Sequence, residues 1–250
     1  MMKFDSLAGR LIRLPLRLIP RDSDVRVRSG LNQGFRWRTG SATHGCWIGS
    51  YEAEVQRLPE FVRDGMTCYD IGANAGFYTL ALARLAGATG RVVAMEPLPE
   101  NAANLLHHVR INHLPQVTII QTAVSDEDGL AGFERHESPS MGHLAPAARS
   151  RDRVATARLD TLIERDDVPA PGFVKIDVEG AELAVLRGAR ATLSRHRPTL
   201  LIAFHGDDLF RDCLNLLSGH GYLVRNLRDH PLQATSPATG EAIATHPSRS

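Results

Sequence analysis

The sequence predicts an α/β fold: a doubly wound, mostly parallel sheet with helices on both faces. Three observations predict it. Short apolar runs alternate with amphipathic stretches from Tyr51 to about Asn226. The amphipathic stretches repeat at helical spacing, as in Ala102, Leu105, Leu106 and Val109. Turn residues punctuate the boundaries, with Pro171 and Pro198 ahead of apolar runs and Gly221 closing a helix. Strands that alternate with helices need crossover connections, and these put a parallel sheet between two helical layers.

Taken in order, Thr67 to Ile71 reads as a strand, Phe77 to Ala86 as a helix and Arg91 to Glu96 as a strand. Glu100 to Asn112 follows as a helix and Val117 to Thr122 as the third strand. The stretch from Ala123 to Leu162 breaks the rhythm. Leu130 to Arg135 and Val154 to Arg158 read as strands, separated by a polar loop from His136 to Arg153. A loop of this length usually carries function or is disordered. Phe173 to Asp177 is then a strand, Ala181 to Ser194 one helix, and Thr199 to Phe204 a strand. Leu209 to His220 is a helix with Phe210, Cys213, Leu214 and Leu217 inward, and Tyr222 to Asn226 is the sixth strand. Pro231 to Ser250, rich in Ala, Thr, Ser and Pro, is expected to be mostly mobile, with at most a weak last strand near Ala242 to Thr245. The expected organisation is an N-terminal extension over 1–50, a catalytic domain over 51–228 and a tail over 229–250.

Bulk composition removes several classes. A chain of 250 residues with 43% hydrophobic and 23% charged residues is an ordinary globular protein with room for a large core. A formal net charge of +1 supplies no global field for nucleic acid. Cys46, Cys68 and Cys213 form neither a zinc spacing nor a disulfide framework, which suits a reducing cytoplasm. No run of about 20 apolar residues spans a membrane. Leu7 to Ile19 mixes leucines with Arg10, Arg13 and Arg17, which excludes a secretory signal. A basic segment of this kind can lie on an anionic membrane. Pro15 interrupts it, and packing on the domain surface is the stronger reading. Nothing in the sequence sets an oligomeric state.

The chemistry concentrates in Cys68-Tyr-Asp-Ile-Gly-Ala-Asn-Ala-Gly-Phe-Tyr-Thr79. A strand ends at Asp70 and Ile71, a turn follows with Gly72, Ala73, Asn74 and Gly76, and a helix begins. Glycines there let backbone come close to a ligand, and the helix N-terminus offers free N–H groups. A dinucleotide site wants G-x-G-x-x-G with phosphate on the helix. Here the middle glycine is missing and an acid stands two residues before the first. That carboxylate would repel a pyrophosphate and would favour the cationic methionine end of S-adenosylmethionine. Glu96, twenty-six residues after Asp70, ends the second strand, where a carboxylate accepts hydrogen bonds from both ribose hydroxyls. Thr122 and Ala123, at the end of the third strand, are placed to touch adenine.

The fourth strand carries Lys175-Ile-Asp-Val-Glu-Gly-Ala-Glu182. Asp177 ends it at the carboxyl edge, facing cofactor and acceptor, and Glu179 follows in the turn. Glu182 opens the next helix, where an acid is favoured by the helix dipole alone. His205, just beyond the fifth strand, is the first candidate for a general base acting on an acceptor hydroxyl, with His143 and His44 in reserve. A divalent metal held by Asp177 and Glu179 is a second, less favoured scheme.

The block Asp70–Gly76, the Glu96-Pro97 turn, Leu159-Asp-Thr-Leu162, Lys175–Glu182 and Leu186-Arg-Gly-Ala189 together resemble the FkbM-type methyltransferase family, over roughly Tyr51 to Tyr222. The resemblance implies a seven-stranded methyltransferase fold and O-methylation of a sugar, glycan or secondary-metabolite hydroxyl. Members often carry a Glu two residues before the His of the fifth strand. Here Ala203 stands in that place, which disfavours a metal site that needs a third carboxylate. Other readings are N-methylation of a protein or small molecule, a non-catalytic S-adenosylmethionine-binding module, and, more remotely, a NAD-linked reductase. Acceptor specificity is expected in residues 1–50 and in the loop from His136 to Arg153.

Overall fold

The computed structural model describes residues 19–49, 51, 53–135, 142–145, 150, 152–238 and 240–249. The basic segment before Ile19 and most of the loop between His136 and Arg153 lie outside the described residues.

Its strands are β1 (Asp24–Arg26), β2 (Arg36–Arg38), β3 (Thr67–Ile71), β4 (Arg91–Met95), β5 (Val117–Ile120), β6 (Ala123–Val124), β7 (Gly129–Arg135), β8 (Gly142–Ala145), β9 (Asp152–Ala157), β10 (Phe173–Ile176), β11 (Thr199–Ala203), β12 (Leu223–Asn226) and β13 (Glu241–Thr245). The α-helices are α1 (Gly45–Ile48), α2 (Phe77–Ala86), α3 (Pro99–Ile111), α4 (Leu159–Glu164), α5 (Glu182–Arg187), α6 (Arg190–Arg195) and α7 (Asp207–Gly219).

The central sheet has seven strands in the order β12-β13-β11-β10-β3-β4-β5. All neighbouring pairs from β11 to β5 are parallel, and β13 runs antiparallel to both β11 and β12. The period-2 alternation of side chains sorts the core into two layers. Cys68, Val92, Ala94, Phe173, Leu201 and Ile243 face α2 and α3 on one side. Tyr69, Ile71, Val93, Met95, Val174, Ile176, Leu200 and Ile202 face α4 to α7 on the other. The chain runs outward from β3 to β5 and then returns to β10, so the order reverses between β3 and β10. A crevice opens at such a switch point over the carboxyl ends of the strands.

Three expectations are corrected. The tail from 229 to 250 is expected to be mostly mobile with a weak last strand near Ala242 to Thr245; that strand is present as β13, and it lies inside the sheet, with Ala242, Ile243 and Ala244 buried. The single helix over Ala181 to Ser194 is two helices, α5 and α6. They break where a Cβ on Gly188 would stand 1.9 Å from the Ser125 carbonyl oxygen, so the chain passes too closely there for any side chain. The polar loop contains a strand, β8, which pairs with β7 in a second, four-stranded sheet of order β6-β9-β7-β8.

The described part of the N-terminal extension belongs to the main core. Val27, Trp37, Cys46 and Trp47 are buried in the same layer as α2. His108 of α3 is the tie: its ring stacks on Trp37 at 4.0 Å, it accepts the Arg38 N–H at Nε2 (2.9 Å), and Nδ1 lies 2.7 Å from the Ala75 carbonyl oxygen. An acceptor role for Nε2 assigns the proton to Nδ1, which donates to Ala75. Burial holds this imidazole neutral and pushes its pKa down to about 4 from the ordinary 6.5. The unfolded chain therefore takes up a proton between those values that the folded chain refuses. Stability from this group is complete above pH 6.5 and is lost as pH falls towards 4, by about 3 kcal/mol. Denaturant titrations across that window should show the loss in the parent protein and a flatter profile in His108→Gln. Parallel profiles would mean that His108 is protonated in the fold.

Candidate active site

A cavity of about 760 Å³ lies over the crevice. Gly72, Ala73, Asn74, Glu96, Thr122, Ala123, Asp177 and Glu179 line it, so eight of the residues expected from the sequence meet at one place. Asp70, Gly76 and His205 are not among its walls.

Asp70 is fully buried behind the turn. Its Oδ2 accepts the Thr79 hydroxyl at 2.6 Å, and its Oδ1 lies 3.6 Å from Lys175 Nζ. Lys175 also reaches Asp177 Oδ2 at 3.3 Å and sits 4.7 Å from the centre of the Tyr78 ring. The two strand-end acids are thus joined through one buried cation, which no sequence argument singled out. The glycines owe their place to protein neighbours. Gly72 has φ 78°, and a Cβ there would stand 1.8 Å from the Asp177 carbonyl oxygen; on Gly76, with φ 96°, it would stand 2.3 Å from Leu105 Cδ1. Close strand and helix packing makes both positions glycine before any ligand is considered.

Glu96 is 4% exposed. Oε1 accepts the Leu98 N–H (3.0 Å) and the Asn101 side-chain amide (3.1 Å), and Oε2 accepts the Asn74 N–H (2.8 Å). Burial raises its pKa, against the pull of these hydrogen bonds. A carboxylate oxygen has two acceptor sites, so Oε2 retains one beside the Asn74 bond, and Glu96 is part of the cavity wall. Thr122 donates its hydroxyl to the Ala155 carbonyl (3.1 Å), which ties the second sheet to the cavity rim.

On the far side of β10, Asp177, Glu179 and His205 come together. His205 Nε2 lies 3.7 Å from Asp177 Oδ1 and 3.6 Å from Glu179 Oε2. Its Nδ1 is 2.7 Å from Oε1 of Glu182, a carboxylate with no solvent exposure, which also accepts the Gly180 N–H. The hydrogen bond to Glu182 is the main cause of a raised His205 pKa. Glu182 is therefore an imidazole partner, where sequence position alone pointed to a helix-dipole role. Glu179 holds its place in a left-handed turn with φ 52°. Ala203 pairs with Glu241 across the β11–β13 ladder, and cross-strand partners share a face. An acid thus stands beside position 203 from the neighbouring strand.

The opposite wall comes from the N-terminal segment and the second sheet, through Arg21, Ser41, His44, Tyr51, Phe133 and Leu144. His44 also makes an edge contact with Trp47. The backbone of His143 pairs with Glu134, and its side chain lies outside the described residues. Among the described residues no helix is long and apolar enough to cross a membrane.

A mostly parallel sheet of this order, with a glycine turn after its first strand and a caged acid after its second, is the Rossmann-like fold of S-adenosylmethionine-dependent methyltransferases. A sequence-family model described as the methyltransferase FkbM domain matches residues 70–224. The chain belongs to the FkbM methyltransferase family. It is 27% identical to the hexuronic acid methyltransferase AglP of Haloferax volcanii over 165 residues, 66% of each chain. It is 26% identical to the 31-O-demethyl-FK506 methyltransferase FkbM of Streptomyces tacrolimicus, over 65% of this chain and 75% of that one. The crystal structure of methyltransferase FkbM from Methylobacillus flagellatus KT superposes with a TM-score of 0.51 at 21% identity, over 82% of this chain and 56% of that one. The chain thus spans just under two thirds of AglP and little over half of the crystallised protein.

Proposed function

We propose that the chain transfers a methyl group from S-adenosylmethionine to a hydroxyl oxygen of a sugar, glycan or hydroxylated metabolite. One observation carries the reading: the donor-side residues share one cavity with Asp177 and Glu179, and His205 stands 3.7 Å and 3.6 Å from those two acids. The likeness to a hexuronic acid methyltransferase and to an FK506-pathway methyltransferase supports an oxygen acceptor of this kind.

The donor residues fit the cofactor. Glu96 offers an open lone pair at the wall of a cavity in the size range of nucleoside-sized ligands. S-adenosylmethionine supplies an already activated methyl group when bound. The chain's own work is then to align donor and acceptor and to manage the hydroxyl proton. Gly72, Ala73, Asn74 and Glu96 hold the nucleoside end, and Thr122 and Ala123 flank the base. Asp177 borders both ligands. Glu179 and His205 face the acceptor hydroxyl, and Arg21, His44 and Leu144 shape acceptor choice from the opposite wall.

Two measurements test this. Calorimetry should show S-adenosylhomocysteine binding, and Glu96→Ala should weaken it at least about tenfold, from the loss of charge-assisted hydrogen bonds to the ribose. Unchanged affinity in that variant would remove Glu96 from the donor site. A donor-saturated screen over glycans and hydroxylated metabolites should then find turnover. Turnover only on amine acceptors would favour N-methylation.

A further inference from the structure

Asp177, Glu179 and His205 each offer a ligand atom, and these atoms lie within 4.8 Å of one another. Hydrogen bonding among the three does not account for that spacing. A protonated Nε2 bonded to a carboxylate would stand about 2.7–2.9 Å from it. The observed separations are 3.7 Å to Asp177 and 3.6 Å to Glu179, while Nδ1 of the same ring makes a full contact of 2.7 Å with Glu182. One side of the imidazole is held tightly and the other faces a gap. At metal–oxygen distances of about 2.3–2.6 Å, ligands at right angles stand about 3.3–3.7 Å apart, and at the shorter Mg²⁺ distances of about 2.0–2.1 Å they stand about 3.0 Å apart, so the three groups would draw in by roughly 0.6 Å around a smaller ion.

A second observation, outside these three residues, points the same way. Glu182 is a carboxylate with no solvent exposure, and its Oε2 has no hydrogen-bond partner. Its Oε1 fixes the ring, so the lone pair of a neutral Nε2 is aimed between Asp177 and Glu179. A buried carboxylate behind a histidine is the usual support of a metal-ligating imidazole. Three carboxylates, Asp177, Glu179 and Glu182, surround one imidazole; Lys175, 3.3 Å from Asp177 Oδ2 and shared with Asp70, offsets only part of that charge, and a divalent ion would offset the rest. Asp177, Glu179 and His205 all keep partial solvent access on the acceptor side, which leaves coordination positions for water and a substrate oxygen.

We infer that Asp177, Glu179 and His205 form a binding site for a hard divalent cation of the Mn²⁺ and Mg²⁺ class, with Glu182 orienting the histidine. Carboxylates select this class, and the single imidazole favours Mn²⁺ over Mg²⁺. The cation's role rests on the methyl-transfer reading above: it would hold the acceptor hydroxyl as a ligand and lower its pKa, in place of an imidazole acting as base. The existence of the site does not depend on that reading.

The test uses the full chain and Mn²⁺ alone. Titration followed by electron paramagnetic resonance of free Mn²⁺ should show one bound ion per chain, displaced by excess Mg²⁺. His205→Ala and Glu179→Gln should each weaken Mn²⁺ binding at least tenfold while the thermal unfolding transition is kept. Glu182→Gln should weaken it by about 10–100-fold, as loss of an orienting partner does. No Mn²⁺ binding up to millimolar concentration would overturn the inference, and so would equal affinity in His205→Ala and the parent. S-adenosylhomocysteine calorimetry on the same samples separates the two readings. If Mn²⁺ binds and S-adenosylhomocysteine does not, the ion site stands and the donor assignment falls.

Discussion

Gly72→Ala is expected to destabilise the fold by about 2–5 kcal/mol, and Gly72→Val by more. The figure combines about 1–2 kcal/mol for a side chain held at positive φ with about 1–3 kcal/mol for overpacking. The clash is with backbone: the new Cβ would stand 1.8 Å from the Asp177 carbonyl oxygen and 2.9 Å from its carbon. A flexible side chain could move aside, but here β3 and β10 would have to part at the point where the crevice opens. Donor binding should fail as a consequence of that separation. Chemical denaturation of the alanine variant decides the matter. A midpoint equal to that of the parent would contradict the register that places Gly72 against Asp177.

Lys175→Met is the second large effect. Lys175 is 4% exposed and is the cation that pairs with fully buried Asp70. Without it, Asp70 keeps the hydrogen bond from the Thr79 hydroxyl. Breaking one side of a buried ion pair costs about 3–5 kcal/mol, because the remaining charge stays desolvated. Adding Asp70→Asn to Lys175→Met should recover part of that loss, since the orphaned charge is then gone. A double-mutant cycle with purely additive effects would show that the two side chains do not interact.

The strands beside the crevice were legible because each is a short apolar run ending in a residue with a chemical reason to be there. Glu96 and Asp177 could be placed at the carboxyl edge from their strand ends, and both line the cavity, whereas Asp70, expected to face the methionine end of the cofactor, is buried behind the turn against Lys175. What escaped was set by contacts between elements distant in sequence. Glu182 reads as a good first-turn acid, and only the fold brings His205 to it. Lys175 reads as an interruption in an apolar strand, and its value appears only when β3 lies alongside. Gly72 and Gly76 were legible as necessary glycines, although the neighbours that make them necessary are Asp177 and Leu105 rather than a ligand. Glu241-Ala-Ile-Ala-Thr245 carries a weak strand pattern within a polar stretch, and its burial comes from β11 and β12 closing on it from both sides.

The place of β13 has a consequence for synthesis. Its residues leave the ribosome after those of β12, yet they fill the slot between β12 and β11. A nascent chain that ends before residue 241 leaves β11 as a bare apolar edge, of the kind that pairs with other chains. The sheet therefore closes only after translation has passed Thr245.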